Sequence, residues 1–313
     1  MAISLPAPDR NITRHRSRPG ELAVVGVLAL CAVVSVLVTV GIVVVLAGET
    51  ISFFAKIPLL DFLTGTRWAP VGGRVEAGDF GVLPLVNGSL MIAIGSLFVG
   101  LPLGLATAVY LSEYARPGVR AVVKPALEVL AGVPTVVVGF FALNFVTPTL
   151  LRPLFGDERV FIFNAAAGAI AVGLMILPVI ASISEDAMRA VPHSLREAAF
   201  GMGASRRVVA LRVVMPAALS GIAASVILAI SRAVGETMAV TIAAGNTPRL
   251  TTDFFESIQT LTAYIAQTVS GEAAAGSARY ESLFAVGATL FLITLAMNLL
   301  SMRLVRRYRQ VYQ

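Results

Sequence analysis

Two charged residues lie in the middle of an apolar stretch of the sequence, "VILAISRAVGETMAVTIAAGN" at residues 226–246. Arg232 and Glu236 are four residues apart, so on one continuous helix they lie one turn apart and can form an ion pair. The planar guanidinium of an arginine gives bidentate, charge-assisted hydrogen bonds to oxyanions such as phosphate. A glutamate beside it would neutralise the empty site and keep the anion from binding too tightly to leave.

The depth of this pair determines how costly it is. On a helix that starts at Pro216, Arg232 is 16 residues along, about 24 Å at 1.5 Å per residue. This is close to the middle of a hydrocarbon core about 30 Å thick, where a charge costs about 2.5–3.5 kcal/mol. The same helical face is expected to carry Ser225, Ala239 and Ala243. Two interpretations stay open, namely an ion pair that only fixes helix packing and a polar pathway for an anion.

A polar loop at residues 184–216 contains a second informative pattern. Ser194 and Glu197 have the spacing of a capping box, which predicts a helix that starts at Leu195. One narrow apolar face is then formed at helical spacing by Leu195, Ala198, Ala199 and Met202.

The same loop should turn sharply after this helix. Gly203 can adopt the left-handed conformation that ends a helix, and Ser205 can cap the next one. A short helix with a face of small residues suits insertion into a groove of another protein. A plain connector between two membrane helices is the alternative.

The composition shows what kind of element must hold these residues. Of the 313 residues, 57% are hydrophobic and 13% are charged, whereas a soluble domain has about a quarter charged residues. Six apolar stretches are long enough to span a membrane, at residues 22–47, 87–112, 125–150, 161–183, 215–245 and 282–302. Their unbroken hydrophobicity excludes the alternating pattern of a membrane barrel. The predicted fold is therefore an all-α, polytopic bundle of six transmembrane helices.

The net charge of +6 reflects topology, since the basic residues are unevenly distributed. If the N-terminus lies inside, 16 of the 24 basic residues fall on cytoplasmic segments, as the positive-inside rule requires. They are Arg10, Arg14, Arg16, Arg18, Arg116, Arg120, Lys124, Arg189, Arg196, Arg206, Arg207, Arg212, Arg303, Arg306, Arg307 and Arg309. This pattern predicts both termini in the cytoplasm and argues against a nucleic-acid partner.

The chain divides into four segments on this basis. They are a disordered basic tail (1–20), the first transmembrane helix with an extracytoplasmic loop (21–86), a core that contains the loop 184–216 (87–302), and a second basic tail (303–313). In the outer loop 246–281, helical spacing predicts an amphipathic surface helix that is either a lid or a docking element, through Phe254, Ile258, Leu261 and Ile265.

Other chemically active residue types are sparse. Lys124 and Glu128 have the spacing of an ion pair at the membrane edge. Cys31 is the single cysteine and the two histidines are far apart, so the sequence predicts no disulfide, no metal site and no cofactor. A catalytic role for Arg232 and Glu236 is disfavoured, because the sequence around them offers no nucleophile or second carboxylate.

The sequence also contains no G-x-x-x-x-G-K-[ST], the motif that binds nucleotide phosphates. Its two lysines, Lys56 and Lys124, follow Ala and Val. The chain is therefore expected not to be an enzyme, and any energy from ATP would have to come from another chain.

The loop "EAAFGMGASRRVVALRVVMP" resembles the EAA loop of ABC-importer permeases. The residues that match in type and spacing are Glu197, Ala198, Ala199, Gly203 and Pro216, while Val213 and Met215 replace the usual Ile and Leu. The resemblance implies a type I ABC-importer permease fold in the cytoplasmic membrane of a bacterium. It also implies that these five residues belong to a coupling helix that sits in a groove of the ATPase.

Further stretches resemble the permeases of the phosphate-specific transport system. They are "FLTGTRW", "FGVLPLVNGSL", "GVPTVVVGFFAL" and "SRAVGETMAVTIAAGN", and "GETMAV" favours the PstC type over the PstA type. The resemblance assigns Arg232 and Glu236 to the phosphate pathway. It implies three partners, namely a PstA-like second permease, a PstB-like ATPase dimer in the cytoplasm and a PstS-like phosphate-binding protein outside. Importers of molybdate, tungstate or sulfate share the EAA loop, and a phosphate-sensing scaffold is a further alternative.

Overall fold

A computed structural model describes residues 19–70, 79–271 and 276–308, so the outer parts of both predicted tails lie outside the described residues. In chain order its helices are α1 (Pro19–Lys56), α2 (Leu59–Thr64), α3 (Leu83–Val109), α4 (Pro117–Ala131), α5 (Thr135–Phe141), α6 (Arg152–Phe155), α7 (Ala165–Arg189), α8 (His193–Gly201), α9 (Arg206–Val208), α10 (Met215–Ala217), α11 (Leu219–Gly235), α12 (Met238–Ala244), α13 (Leu261–Ser270) and α14 (Ala278–Tyr308). Three π-helical segments extend or join them, at Tyr110–Tyr114, Ala142–Leu151 and Val209–Val214.

The prediction of an all-helical bundle with six transmembrane helices is confirmed. Five helices in the described residues are long and apolar enough to cross a membrane, and there are six if the bent pair Arg206–Ala217 and Leu219–Gly235 is counted as one span. The chain forms two compact units that meet between Gly48 and Glu49. In the first unit, α1 is exposed from Gly20 to Gly48 except at the half-buried Leu46, and the end of α1 and the other helices belong to the second unit.

The second unit is built around α3 and α7. Gly95 faces Ala169 and Gly104 faces Ile180, so the two helices run parallel. A Cβ on Gly100 would lie 2.7 Å from the carbonyl oxygen of Gly173, which only glycine allows. Such contacts between small residues bring membrane helices close together. Because α7 leads into α8, the C-terminal ends of α3 and α7 lie at the end of the bundle that carries α8, called here the α8 end.

The third span differs from its predicted range of 125–150. Helix α4 ends at Ala131, and the membrane-spanning helix runs instead over residues 135–155. The cause is Pro134, which has no N–H to donate and disfavours the helical conformation of the residue before it. Helix α4 is amphipathic and has no fully buried residue.

The fifth span, predicted to be continuous over 215–245, is interrupted twice. The chain bends by 71° at the junction of α10 and α11, where Ala218 leaves the helical conformation. It breaks again after Gly235, because Glu236 is extended with φ −68° and ψ 132°. Helix α12 then completes the span from Met238 to Ala244.

The outer segment before α13 does not form the predicted amphipathic helix. Its backbone bonds with other elements instead: the Ala166 N–H donates to the Phe254 carbonyl at 2.8 Å, and the Ile258 N–H donates to the Ala244 carbonyl at 3.1 Å. Helix α13 begins only at Leu261, and its first four residues are buried. This segment therefore enters the bundle and does not lie on its surface.

The end of the bundle opposite to the α8 end contains a cluster of buried aromatic residues. Phe53, Phe62, Trp68, Phe80 and Tyr264 are buried there and meet in edge-to-face contacts, with ring centroids 4.9–6.2 Å apart. Part of the extracytoplasmic loop predicted within residues 21–86 is thus a packed structure that includes the end of α1 and α2.

Candidate functional site

Arg232 lies near the middle of the fifth span. It follows Leu219, the first residue of α11, by 13 positions, which is about 20 Å along the helix axis. The residue is exposed, and within the described part of the chain no ion pair includes it. Because a charged side chain in contact with lipid is costly, this face of α11 must meet water, an anion or another protein.

Glu236 follows the end of α11 and is half-buried. Its Oε1 accepts a hydrogen bond from the Ala239 N–H at 3.2 Å, and its carbonyl accepts one from the Thr262 Oγ1 at 2.8 Å. The predicted ion pair on one helical face is wrong, because the helix ends between Arg232 and Glu236. The two residues stay close along the chain, but each side chain has its own surroundings.

The predicted lining of this face is also wrong. Ser225 is buried between α7 and α11, where its hydroxyl shares a hydrogen bond of 2.8 Å with Ser184. Ala239 and Ala243 are fully buried within the bundle. Since Arg232 is exposed, these three residues lie on other faces and do not line its surroundings.

The helix that follows the break at Glu236 packs against the first helix of the third span. Helix α5, which follows the interruption at residues 132–134, packs against α12, which follows Glu236. Their contact is close, since a Cβ on Gly139 would lie 3.0 Å from the Ala239 Cα. Transporters build substrate sites from helices that are interrupted near the middle of the membrane, as the fifth span is at Glu236.

The loop between α7 and α11 contains the predicted helix–elbow–helix, with a different start. Helix α8 begins at His193, so Ser194 lies within the helix and the predicted capping box is not formed. The preceding Pro192 has a fixed φ that favours helix initiation directly after it. Gly203 has φ +82°, which confirms the predicted left-handed elbow. Ser205 is the N-cap residue of α9, but its side chain makes no capping bond.

The predicted apolar face of α8 is divided between two environments. Ala199 is 4% exposed and packs against Val209 and Val214 inside the bundle, so its expected place on a docking surface is wrong. The solvent side is formed by Glu197, Ala198, Phe200, Gly201 and Met202, all of which are exposed. Gly203 and Pro216 are exposed too, and Pro216 lies in α10, just before the bend.

A buried ion cluster at the α8 end was not predicted. Glu185 on α7 is 0% exposed, and its carboxylate lies 2.8 Å from the Arg120 Nη2 and 2.9 Å from the Lys124 Nζ, both on α4. Arg189 approaches it to 3.8 Å, and Lys124 also contacts Asp186 at 2.6 Å. The predicted partner of Lys124, Glu128, is not in this cluster. The cluster attaches the otherwise exposed α4 to α7.

The charges of this cluster perturb the Lys124 ammonium. Burial lowers the pKa of Lys124, but hydrogen bonds to Asp186 and Glu185 together with their charges raise it more, so the net pKa lies above the ordinary value of 10.5. A cation with a raised folded-state pKa contributes full stability below its unfolded-state pKa. The contribution of Lys124 is therefore constant below pH 10.5 and is lost only as the pH rises further.

Comparison with known proteins adds family and fold relationships. The family described as "Binding-protein-dependent transport system inner membrane component" matches residues 100–310. The "Probable ABC transporter permease protein YqgH" of Bacillus subtilis is 33% identical over 282 residues, which cover 90% of this chain and 88% of that protein. The "Phosphate transport system permease protein PstC" of Mesorhizobium japonicum is 34% identical over 275 residues, which cover 81% and 82%.

A solved structure has the same fold at low sequence identity. It is a "bacterial alginate ABC transporter in complex with alginate pentasaccharide-bound periplasmic protein", and one of its chains is similar with a TM-score of 0.62. The match covers 91% of this chain and 94% of that chain at 17% identity, so it describes the fold alone.

Proposed function

We propose that Arg232 marks a path for phosphate, starting from one premise: the chain belongs to the family of binding-protein-dependent transport system inner membrane components. It is a multi-pass permease subunit of an ABC importer for phosphate, as its phosphate-permease relatives and its fold support. The observation that carries the proposal for Arg232 is an exposed guanidinium near mid-span, without an ion pair in the described part of the chain.

The chemistry of Arg232 fits this role. An exposed charge at mid-span is stable where it meets water or a polar partner, so its face would line an aqueous path between two permease subunits. Arginine binds phosphate oxygens through paired, charge-assisted hydrogen bonds. Glu236 would limit the affinity by repelling the anion, which favours release. Because Glu236 caps α12, its carboxylate is held in place without neutralising Arg232.

The partners follow from the same role. The family is binding-protein-dependent, so an extracytoplasmic phosphate-binding protein of the PstS type would deliver the substrate. A PstA-like second permease would complete the path, and a PstB-like ATPase dimer would hydrolyse ATP. The exposed side of α8 (Glu197, Ala198, Gly201 and Met202) and the Gly203 elbow would contact that ATPase.

The α8 end is assigned to the cytoplasm in this proposal. The loop that contains α8 is rich in arginine, which the positive-inside rule places on the cytoplasmic side of a bacterial inner membrane. In a variant whose Cys31 is replaced by Ser, a cysteine at Met202 should be labelled only after the membrane is opened. A cysteine at Thr252, which is exposed at the other end, should be labelled from outside in intact cells. The reverse labelling pattern would contradict this orientation.

The phosphate path is tested by uptake of labelled phosphate into vesicles that contain both permeases, the ATPase and the binding protein. Arg232→Gln should lower uptake per assembled complex about 10- to 100-fold, since hydrogen bonds to charged groups contribute about 1.5–3 kcal/mol. Arg232→Lys keeps the charge without the planar guanidinium, so its phosphate uptake should lie between those of the wild type and Arg232→Gln. Normal uptake by assembled Arg232→Gln would contradict the proposal.

Two further results would separate the alternatives. Unlabelled sulfate, molybdate or tungstate should not compete with phosphate, and strong competition by one of them would reassign the substrate. A phosphate-sensing scaffold would give no uptake into vesicles even when the wild-type complex is fully assembled.

A further inference from the structure

One arginine side chain of α8 is largely buried, although most of that helix is exposed. The Arg196 side chain is 12% exposed, and it donates from Nη1 to the Val191 carbonyl at 2.6 Å and from Nη2 to the Met188 carbonyl at 2.8 Å. Met188 lies in the last turn of α7 and Val191 in the turn that follows it, so Arg196 ties α8 to the end of α7 and to the turn between them. These are charge-assisted hydrogen bonds, which are the stronger kind.

The same guanidinium reaches a third element. Arg196 Nη2 lies 3.0 Å from the Oε1 of Glu113, whose side chain is 8% exposed. Glu113 belongs to the π-helical segment Tyr110–Tyr114 that continues α3, and Ser112 Oγ donates to the same Oε1 at 2.8 Å. Arg196 and Glu113, 83 residues apart in sequence, are named here the α3–α8 clamp.

We propose that Arg196 is a positioning residue, which through this clamp makes α8 and the end of α3 move as one body. The inference rests on the proposed function, in which an ATPase displaces α8. Apolar contact alone holds α8 weakly, because Ala199 is the only residue of this helix that is fully buried within the described structure. The helix is also connected through Gly203, whose left-handed conformation marks a turn and not a rigid continuation.

The elements that follow Glu113 in the chain connect the clamp to the helix after the Glu236 break. The π-helical segment leads through Ala115 and Arg116 into α4, which the Glu185 cluster attaches to α7. Helix α4 leads into α5, and α5 contacts α12 where Gly139 meets Ala239. A displacement of α8 transmitted by the clamp would thus reach the element that follows the Glu236 break.

The main test compares phosphate imported per ATP hydrolysed in the reconstituted importer. Arg196→Gln should keep ATP hydrolysis per assembled complex and lower this ratio at least about tenfold, because one charged hydrogen-bond network is removed. Glu113→Gln leaves the two carbonyl bonds of Arg196 intact and should have a smaller effect. The double variant should be no worse than Arg196→Gln alone, since both changes break one contact.

A matched control makes the same change of charge in the same loop. Arg207 is exposed and, among the described residues, takes part in no ion pair, so Arg207→Gln should keep the wild-type ratio. If assembled Arg196→Gln keeps that ratio and only the amount of complex falls, Arg196 is merely a structural residue and the proposal is overturned. If Arg196→Gln does not assemble, Glu113→Gln decides, and an unchanged ratio for it also overturns the proposal.

A distance measurement tests the clamp without using transport. Spin labels at Ser194 on α8 and Tyr114 beside Glu113, both exposed, are introduced after Cys31→Ser. Their distance should stay narrow and constant with and without ATP in the wild type, and should broaden in Arg196→Gln. A distance that already varies in the wild type would overturn the proposal. Failure of the proposed function would show differently, as a wild-type complex that hydrolyses ATP without importing phosphate.

Discussion

The Glu185 cluster and the surroundings of Arg232 place charges in the same bundle under opposite conditions. Around Glu185, Arg120 and Lys124 approach a fully buried carboxylate to 2.8 and 2.9 Å. Arg232 lies near mid-span, is exposed, and is part of no ion pair among the described residues. Charges that hold the chain together are paired within it, whereas an unpaired charge near the middle of a membrane needs a partner from outside.

This comparison separates two properties that a mutation can change. Removing one member of a satisfied buried pair leaves an uncompensated charge and lowers the free energy of unfolding. Removing an unsatisfied charge breaks no internal contact, so it should change transport and leave stability nearly intact. Substitutions in the two regions should therefore give opposite patterns.

The largest effect on stability is expected for Glu185→Gln. It leaves Arg120, Lys124 and Arg189 without their shared carboxylate, and the loss of one partner in a buried ion pair costs about 3–5 kcal/mol. The free energy of unfolding can be measured by SDS titration in mixed micelles. The neighbouring Asp186→Asn is the matched control, because the Asp186 side chain is 61% exposed and such pairs contribute about 0–1 kcal/mol. Equal losses for the two variants would show that the cluster is not structural.

A smaller effect is expected at the elbow after α8. Gly203 has φ +82°, and a Cβ added there would have no neighbouring atom within 4 Å, so Gly203→Ala adds backbone strain without a clash. The left-handed conformation costs an alanine about 1–2 kcal/mol. Gly201→Ala is the control, since that site is also open but is the last residue of α8 with helical φ, where alanine adds no strain and should change stability by no more than about 0.5 kcal/mol. A stabilising Gly203→Ala would contradict the assignment of the elbow.

The sequence was a good guide wherever one local property decided the structure. Apolar length alone predicted the six spans. Gly203 could be assigned to a left-handed turn because glycine adopts positive φ without strain. Arg232 could be placed near mid-span from residue spacing, although its helix starts at Leu219 and not at Pro216.

The sequence was a poor guide where distant residues decided the structure. Lys124 pairs with Glu185, 61 residues away, and not with Glu128 one helical turn away. Phe254 and Ile258 have helical spacing, but their segment forms backbone hydrogen bonds with α7 and α12 and is not helical. The break between Arg232 and Glu236 had only a glycine as its local signal, and glycine also occurs inside the helices of this bundle.

The smallest effect on stability is expected for Arg232→Gln, the variant that should have a large effect on uptake. Within the described residues Arg232 forms no ion pair, so its removal breaks no buried charge contact, and the free energy of unfolding should change by no more than about 0.5 kcal/mol. The same substitution at Arg120 is the matched comparison. Arg120→Gln removes a contact of 2.8 Å to buried Glu185, which keeps Lys124 and Arg189 as neighbours, and should cost about 1.5–3 kcal/mol. If Arg232→Gln lowered the free energy of unfolding of the isolated subunit by that amount, the chain itself would use this charge for packing. Arg232 would then have a structural role, as the charges around Glu185 do.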